Sequence, residues 1–179
     1  AARAADKWVT PGFASGWTNY GQDFRSVSAV KSGNAVTVSG LAKRTNGKWG
    51  HIATLPGDMR PKKRLIFNLN THNRTARVDV LPNGQIHFVA GQTAYNWVSL
   101  DGISFVTGKT YPLKLTSGWQ NYGGEYAAAN ELKVGNTITL GGLIKPGAGN
   151  IIATLPGHLR PAKRHIFNLN SHDKTSRVD

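Results

Sequence analysis

Residues 52–79 read IATLPGDMRPKKRLIFNLNTHNRTARVD, and residues 152–179 read IATLPGHLRPAKRHIFNLNSHDKTSRVD. Eight of the 28 paired positions differ: Asp58/His158, Met59/Leu159, Lys62/Ala162, Leu65/His165, Thr71/Ser171, Asn73/Asp173, Arg74/Lys174 and Ala76/Ser176. The match continues upstream, where SGWTNYG from Ser15 answers SGWQNYG from Ser117, and VSAVKSGNAVTVSGLAK answers AANELKVGNTITLGGLIK. The offset is 102 residues before Lys43/Lys145 and 100 after it, so a two-residue deletion falls in the loop after Lys43. A period of about 100 residues marks a duplicated domain, whereas solenoid units run about 20–50. The expected organisation is an N-terminal segment (1–14), a first module (15–116) and a second, incomplete module (117–179).

Working outward, short runs rich in Val, Ile, Thr and aromatics alternate with Gly, Asn and Pro, the pattern of antiparallel strands and turns. A hairpin is expected from Ser26–Val30 and Ala35–Ala42 across Lys31-Ser32-Gly33-Asn34. Strands follow at His51–Leu55, Arg64–Asn70, Thr75–Leu81, Gln85–Ala90, Asn96–Val98 and Ile103–Val106. No window has a helical period. The expected fold is all-β: two homologous antiparallel β-sandwich, jelly-roll-like modules in tandem, the second truncated. Ala1–Asp6 reads as a frayed or helical tail. Lys7–Phe13 (KWVTPGF) echoes Asn96–Phe105 at the close of the first module.

The second module has no counterpart of Val80–Phe105. Left so, it would expose an apolar face and an unpaired edge. The plainest expectation is that the chain continues beyond Asp179; completion by the KWVTPGF strand or by another chain are the alternatives.

Twenty-two Lys and Arg against nine Asp and Glu give a formal charge of +13. Such a surface attracts polyanions. The densest runs are Arg60, Lys62, Lys63, Arg64 and Arg160, Lys163, Arg164, an alternative site for an acidic polysaccharide. No nucleic-acid motif accompanies them, and no aromatics interleave as stacking platforms, so nucleic acid is not an expected partner. There is no cysteine, hence neither disulfide nor thiolate metal site. No apolar run approaches the roughly 18 residues of a membrane span, and no signal peptide is visible. A start at Ala1 points to a processed chain, and the expected location is extracellular.

Strand alternation sorts the repeated core into faces. Leu65, Phe67 and Leu69 share one face with Val78 and Val80, and the opposite face carries a polar stripe of Asn68, Asn70, Arg77 and Asp79. The Pro82-Asn83-Gly84 turn brings His87 beside Asp79. The second-copy stripe is Asn168, Asn170, Arg177 and Asp179. Amides, a guanidinium and a carboxylate suit hydrogen bonding to sugar hydroxyls, N-acetylated sugars included; a wet sheet face or a subunit interface with an internal Arg–Asp pair is the alternative. His72 and His172 persist at the connecting tip, where a rigid scaffold can present binding residues. Asn73-Arg74-Thr75 is an N-glycosylation sequon that the second copy loses. Tyr20 and Tyr122 could stack on a pyranose ring; Trp17 and Trp119 read better as core. Catalysis is not expected: the carboxylates common to both copies, Asp23/Glu125 and Asp79/Asp179, form no linked pair, and no nucleophile elbow or metal-ligand spacing is present. No cofactor is called for.

The blocks GWTNYG, GLAK, IATLPGDMRP, RVDVLPNGQIHF and NWVSLDGISF together resemble a module that closes many phage tail-fibre and bacterial collagen-like or surface proteins. The resemblance covers Ser15–Phe105 and, truncated, Ser117–Asp179. It implies a β-sandwich, surface exposure and often trimeric assembly with glycan or receptor recognition. A looser likeness to H-type lectins points the same way, and the tandem copy without a stalk looks more like a free-standing agglutinin of algae or marine invertebrates. The resulting expectation is a non-enzymatic, multivalent carbohydrate-binding protein, as monomer, dimer or trimer. The alternative is a structural or receptor-binding tip of a fibre assembly.

Overall fold

The computed structural model describes residues 5–46, 48–116 and 118–179. Among them every regular element except two single-turn 3-10 helices, Gly57–Met59 and Gly157–Leu159, is a β-strand, and every strand ladder is antiparallel. The first repeat contributes β1 (Lys7–Val9), β2 (Gly12–Phe13), β3 (Trp17–Asn19), β4 (Ser28–Ser32), β5 (Ala35–Ser39), β6 (Leu41–Arg44), β7 (His51–Thr54), β8 (Leu65–Thr71), β9 (Arg74–Val80), β10 (Gln85–Gly91), β11 (Trp97–Ser99) and β12 (Ile103–Val106). They form three sheets, ordered β1-β4-β5-β12, β2-β7-β10-β9-β8 and β11-β6-β3.

The inward side chains of the three sheets meet in one core. Val36, Val38, Ile103 and Phe105 come from the first sheet, Ile52, Leu69, Val78, Val80 and Ile86 from the second, and Trp17, Ala42 and Val98 from the third. Strand alternation explains this selection. Leu65, Phe67 and Leu69 stand opposite Val80, Val78 and Ala76, which is the register that keeps apolar residues on one face.

Two expectations change. The run 35–42 is two strands, broken at Gly40, whose φ of +111° favours glycine. An added Cβ would sit 2.5 Å from the Ser26 carbonyl oxygen. Lys7–Val9 and Gly12–Phe13, expected ahead of the first module, are strands that pair with β4 and β7. Of the expected N-terminal tail, Ala1–Ala4 lie outside the described residues, and Ala5 and Asp6 are irregular.

The second repeat supplies β13 (Tyr111–Pro112), β14 (Gln120–Asn121), β15 (Asn130–Val134), β16 (Thr137–Gly141), β17 (Ile144–Lys145), β18 (Phe167–Ser171) and β19 (Lys174–Val178). Its pairings follow the first at the sequence offset. Val9 faces Ala29 and Tyr111 faces Glu131; Thr18 faces Lys43 and Gln120 faces Lys145; Asn68 faces Arg77 and Asn168 faces Arg177. Asn19 and Asn121 each accept the backbone N–H eight residues on, from Val27 and Ala129 at 2.7 Å. Burial does not follow. Leu169 is 49% and Phe167 56% exposed, whereas Leu69 is 3% exposed and Phe67 lies 6.2 Å from Phe105 of β12. No helix among the described residues is long and apolar enough to cross a membrane.

Candidate functional site

The expected stripe forms, but only part of it faces solvent. Asn68 pairs with Arg77, and His87 with Asp79, as alternation requires; Asn70 stands opposite Thr75. Asp79 is fully buried. Its Oδ1 accepts from Arg77 Nε at 2.8 Å, and its Oδ2 accepts from Arg77 Nη2 and Arg64 Nε, both at 2.7 Å. Its carboxylate has no free face, so its expected role as a sugar ligand is corrected to an internal structural one. These hydrogen bonds, foremost that to Asp79, hold the Arg77 guanidinium well above the ordinary arginine range. Burial works against the charge of Arg64, but Asp79 and Glu125 outweigh it and raise the pKa.

The cover over this stripe is the second repeat. The backbone of Arg64 exchanges hydrogen bonds with Glu125 and Ala127, each 3.0 Å long, and Arg64 Nη1 donates to Glu125 Oε1 at 2.7 Å. Arg77 Nη2 donates to Tyr126 Oη at 3.2 Å, and Arg77 Nη1 donates to His172 Nδ1 at 3.4 Å. Asn68 Nδ2 donates to Thr175 Oγ1 at 3.3 Å, and Asn170 Nδ2 to Asn68 Oδ1 at 3.5 Å. The base of the first polar stripe thus meets the tip of the second. In the second repeat, Asn168, Arg177 and Asp179 are exposed, and Arg177 holds Asp179 at 2.7 and 2.9 Å, lowering the carboxyl below its usual range.

His87 lies apart, stacked on His51 with centroids 5.2 Å apart and planes 7° from parallel. Burial, the neighbouring His51 and Arg64 depress its pKa below the ordinary histidine value.

Three expected residues, Tyr20, Asn70 and His72, instead line a groove of about 560 Å³ between the third sheet and the β8–β9 tip. His72 has a φ of +64°, and His172 one of +60°, uncommon for residues other than glycine; such conformations cluster at functional sites. Tyr95 and Trp97 flank His72 with ring centroids at 4.7 and 6.3 Å. Across the groove Tyr20 and Phe24 make an edge-to-face pair at 5.1 Å, with Lys43 Nζ 5.5 Å from the Tyr20 ring centre. Leu41 lies at the floor, and Arg25, Ser99 and Asp101 supply polar groups. Asp101 is fixed on both oxygens, Oδ1 accepting from the Gly40 N–H at 3.0 Å and Oδ2 from Ser99 Oγ at 3.1 Å. Sequence reasoning missed Phe24, Arg25, Trp97, Ser99 and Asp101. The available signal was the alternation of β11: Val98 in the core leaves Trp97 and Ser99 together on the outer face. The second repeat has Tyr122 and Tyr126 in the same edge-to-face pair, at 5.3 Å, but no counterpart of Trp97 or Asp101.

The basic runs are partly committed to structure. Arg60 Nε donates to the Leu55 carbonyl at 3.0 Å, Arg160 repeats this with Leu155 at 2.8 Å, and Arg64 is in the junction. Lys62 is exposed; Lys63 Nζ reaches the Gly124 carbonyl at 3.4 Å. Lys163 and Arg164 are exposed, Arg164 lying 3.6 Å from Asp179. Asn73, the sequon asparagine, is exposed in the two-residue tip turn.

No family model matches the chain, and no curated protein matches it. Among solved structures it is similar to the receptor binding protein (gp15) of Listeria phage PSA. The TM-score is 0.50 at 22% identity, over 59% of this chain and 67% of that one. At this identity the likeness is one of fold.

Proposed function

We propose that the chain is a non-enzymatic recognition protein of an extracellular surface: a receptor-binding unit of a fibre or similar assembly, built from two modules, that engages carbohydrate through the groove of the first. The observation that carries this reading is the groove itself. Trp97 and Tyr20 both line it, aromatic rings of the kind that stack on the apolar faces of a pyranose. Asp101 and Asn70 place a fixed acceptor and an amide beside them, the few convergent polar groups that orient a ligand in a mostly apolar cleft. The similarity in fold to a phage receptor binding protein and the resemblance of the sequence blocks to tail-fibre modules support the same reading. The polyanion alternative draws less support, since Arg60, Arg160 and Arg64 already serve backbone carbonyls and carboxylates.

The test is a glycan array run at about 0.15 M and again at about 0.5 M salt, with wild type, Trp97→Ala and His72→Ala. Salt-resistant binding to a defined sugar, lost in Trp97→Ala with the circular dichroism unchanged, is the expected result. Binding that survives Trp97→Ala removes the groove as the site. Binding confined to sulfated glycans and abolished by salt moves the site to the basic runs. No binding at either salt overturns the carbohydrate reading.

A further inference from the structure

The junction inside the chain uses the base of one repeat and the tip of the other. The residues that correspond to these two half-surfaces, one on each repeat, are exposed. The free base is that of the second repeat: Arg164, Asn168, Arg177 and Asp179 are the same residue types as Arg64, Asn68, Arg77 and Asp79, and all four are exposed. They are also set in advance, for Arg177 grips Asp179 through the same two nitrogens that Arg77 uses on Asp79. The free tip is that of the first repeat. Asp23 stands where the docked repeat has Glu125, Phe24 where it has Tyr126, and Asn70 and His72 where it has Asn170 and His172. The backbone at the tip has the same shape, to judge from the near-equal positive φ of His72 and His172. Phe24 is 54% exposed, and Asp23 is exposed beside it.

We propose that a second copy of this chain docks head-to-tail, the first-repeat tip of one molecule (Asp23, Phe24, His72) seating on the second-repeat base of the other (Arg164, Arg177, Asp179). The contact is the intramolecular junction repeated between molecules, with Asp23 meeting Arg164 as Glu125 meets Arg64. Charge is complementary at that point, and the Phe24 ring offers its face to the guanidinium as Tyr126 does to Arg64 and Arg77, at 5.2 and 5.9 Å. Phe24 has no hydroxyl, so the hydrogen bond from Arg77 to Tyr126 has no equivalent and the intermolecular contact is the weaker of the two. Donor and acceptor surfaces differ, so the association is heterologous and leads to rings or open chains, not to an isologous pair. Docking takes up Phe24 and His72, which also line the groove, whereas Arg164 and Arg177 lie outside it. Substitutions at Arg164 and Arg177 therefore test association without touching the groove, and association and sugar binding fail separately if either reading is wrong.

Sedimentation of the full chain over a concentration series tests this. Wild type is expected to associate with rising concentration. Arg164→Glu and Arg177→Glu are each expected to weaken association roughly tenfold or more, with circular dichroism unchanged because both residues are exposed. Adding Asp23→Arg to the Arg164→Glu chain is expected to restore it by reversing the pair. A wild type that stays monomeric at the highest soluble concentration overturns the proposal. So does association indifferent to both substitutions, which would assign the contact to the exposed Phe167 and Leu169 face.

Discussion

The two repeats carry nearly the same text in different surroundings, and the comparison separates what the text encodes locally from what it borrows. Hairpins β8–β9 and β18–β19 pair in the same register, Phe67 opposite Val78 and Phe167 opposite Val178. Burial is shared at Met59 and Leu159 but diverges over the hairpins. Leu69 is 3% exposed and Leu169 49%; Val38 is fully buried, and its counterpart Leu140 is 51% exposed. The ion pairs diverge with it: Arg64 meets Asp79 at 2.7 Å, Arg164 meets Asp179 at 3.6 Å. Strand pairing is a property of the repeated segment. Its energetic weight comes from β10–β12 on one side and from the neighbouring repeat on the other.

The sharpest way to break this comparison is to make one substitution twice. Asp79→Ala strands the Arg77 guanidinium in the interior and should cost about 3–5 kcal/mol, because removing one partner of a buried pair leaves the other uncompensated. Asp179→Ala, at an exposed pair, should leave the denaturation midpoint where it was. Equal losses from a urea titration would refute the assignment of Asp79 as the enclosed half. Next in size, Leu69→Ala should cost about 2–5 kcal/mol as a core truncation, against about 0.5 kcal/mol or less for the exposed Leu169→Ala. Smaller again is the junction: Glu125→Ala removes an exposed partner of Arg64 and should cost about 0.2–1 kcal/mol, read as a lowered melting temperature, while Asp23→Ala in the exposed tip should not change it at concentrations where the chain is monomeric.

How much of this was legible beforehand follows the same division. The register of β8, β9 and β10 could be read from Leu65, Phe67, Leu69, Val78 and Val80, since a period of two admits one solution when a face must be buried. The partners of β1 and β2 could not: the KWVTPGF strand, an alternative for completing the second module, pairs within the first. Lys7–Val9 and Gly12–Phe13 are short, only Val9 and Phe13 pack against the core, and the backbone bonds to β4 and β7 leave no signature of the partner strand. The stripe was visible as a stripe, but which part of it is wet depends on the offset at which the second repeat lands. Asn68 and Arg77 look no different in sequence from Asn168 and Arg177. The groove was half visible. Tyr20, Asn70 and His72 were marked by recurrence, whereas Trp97 and Asp101 occur once and come from segments distant in sequence.

His87 offers the finest test, because it lies outside the segment that the two repeats share. Burial, with His51 stacked on it and Arg64 nearby, holds its pKa below the ordinary value of 6.5. Below that ordinary value the unfolded chain takes up a proton on this residue while the folded chain resists it. Stability is therefore at its full value above about pH 6.5 and declines as the pH falls through the interval between the unfolded and folded pKa values. His87→Gln removes the titrating group, so the difference in stability between variant and wild type should change between pH 7.5 and pH 5, the variant losing less on acidification. Equal acid sensitivity in the two would place the loss elsewhere.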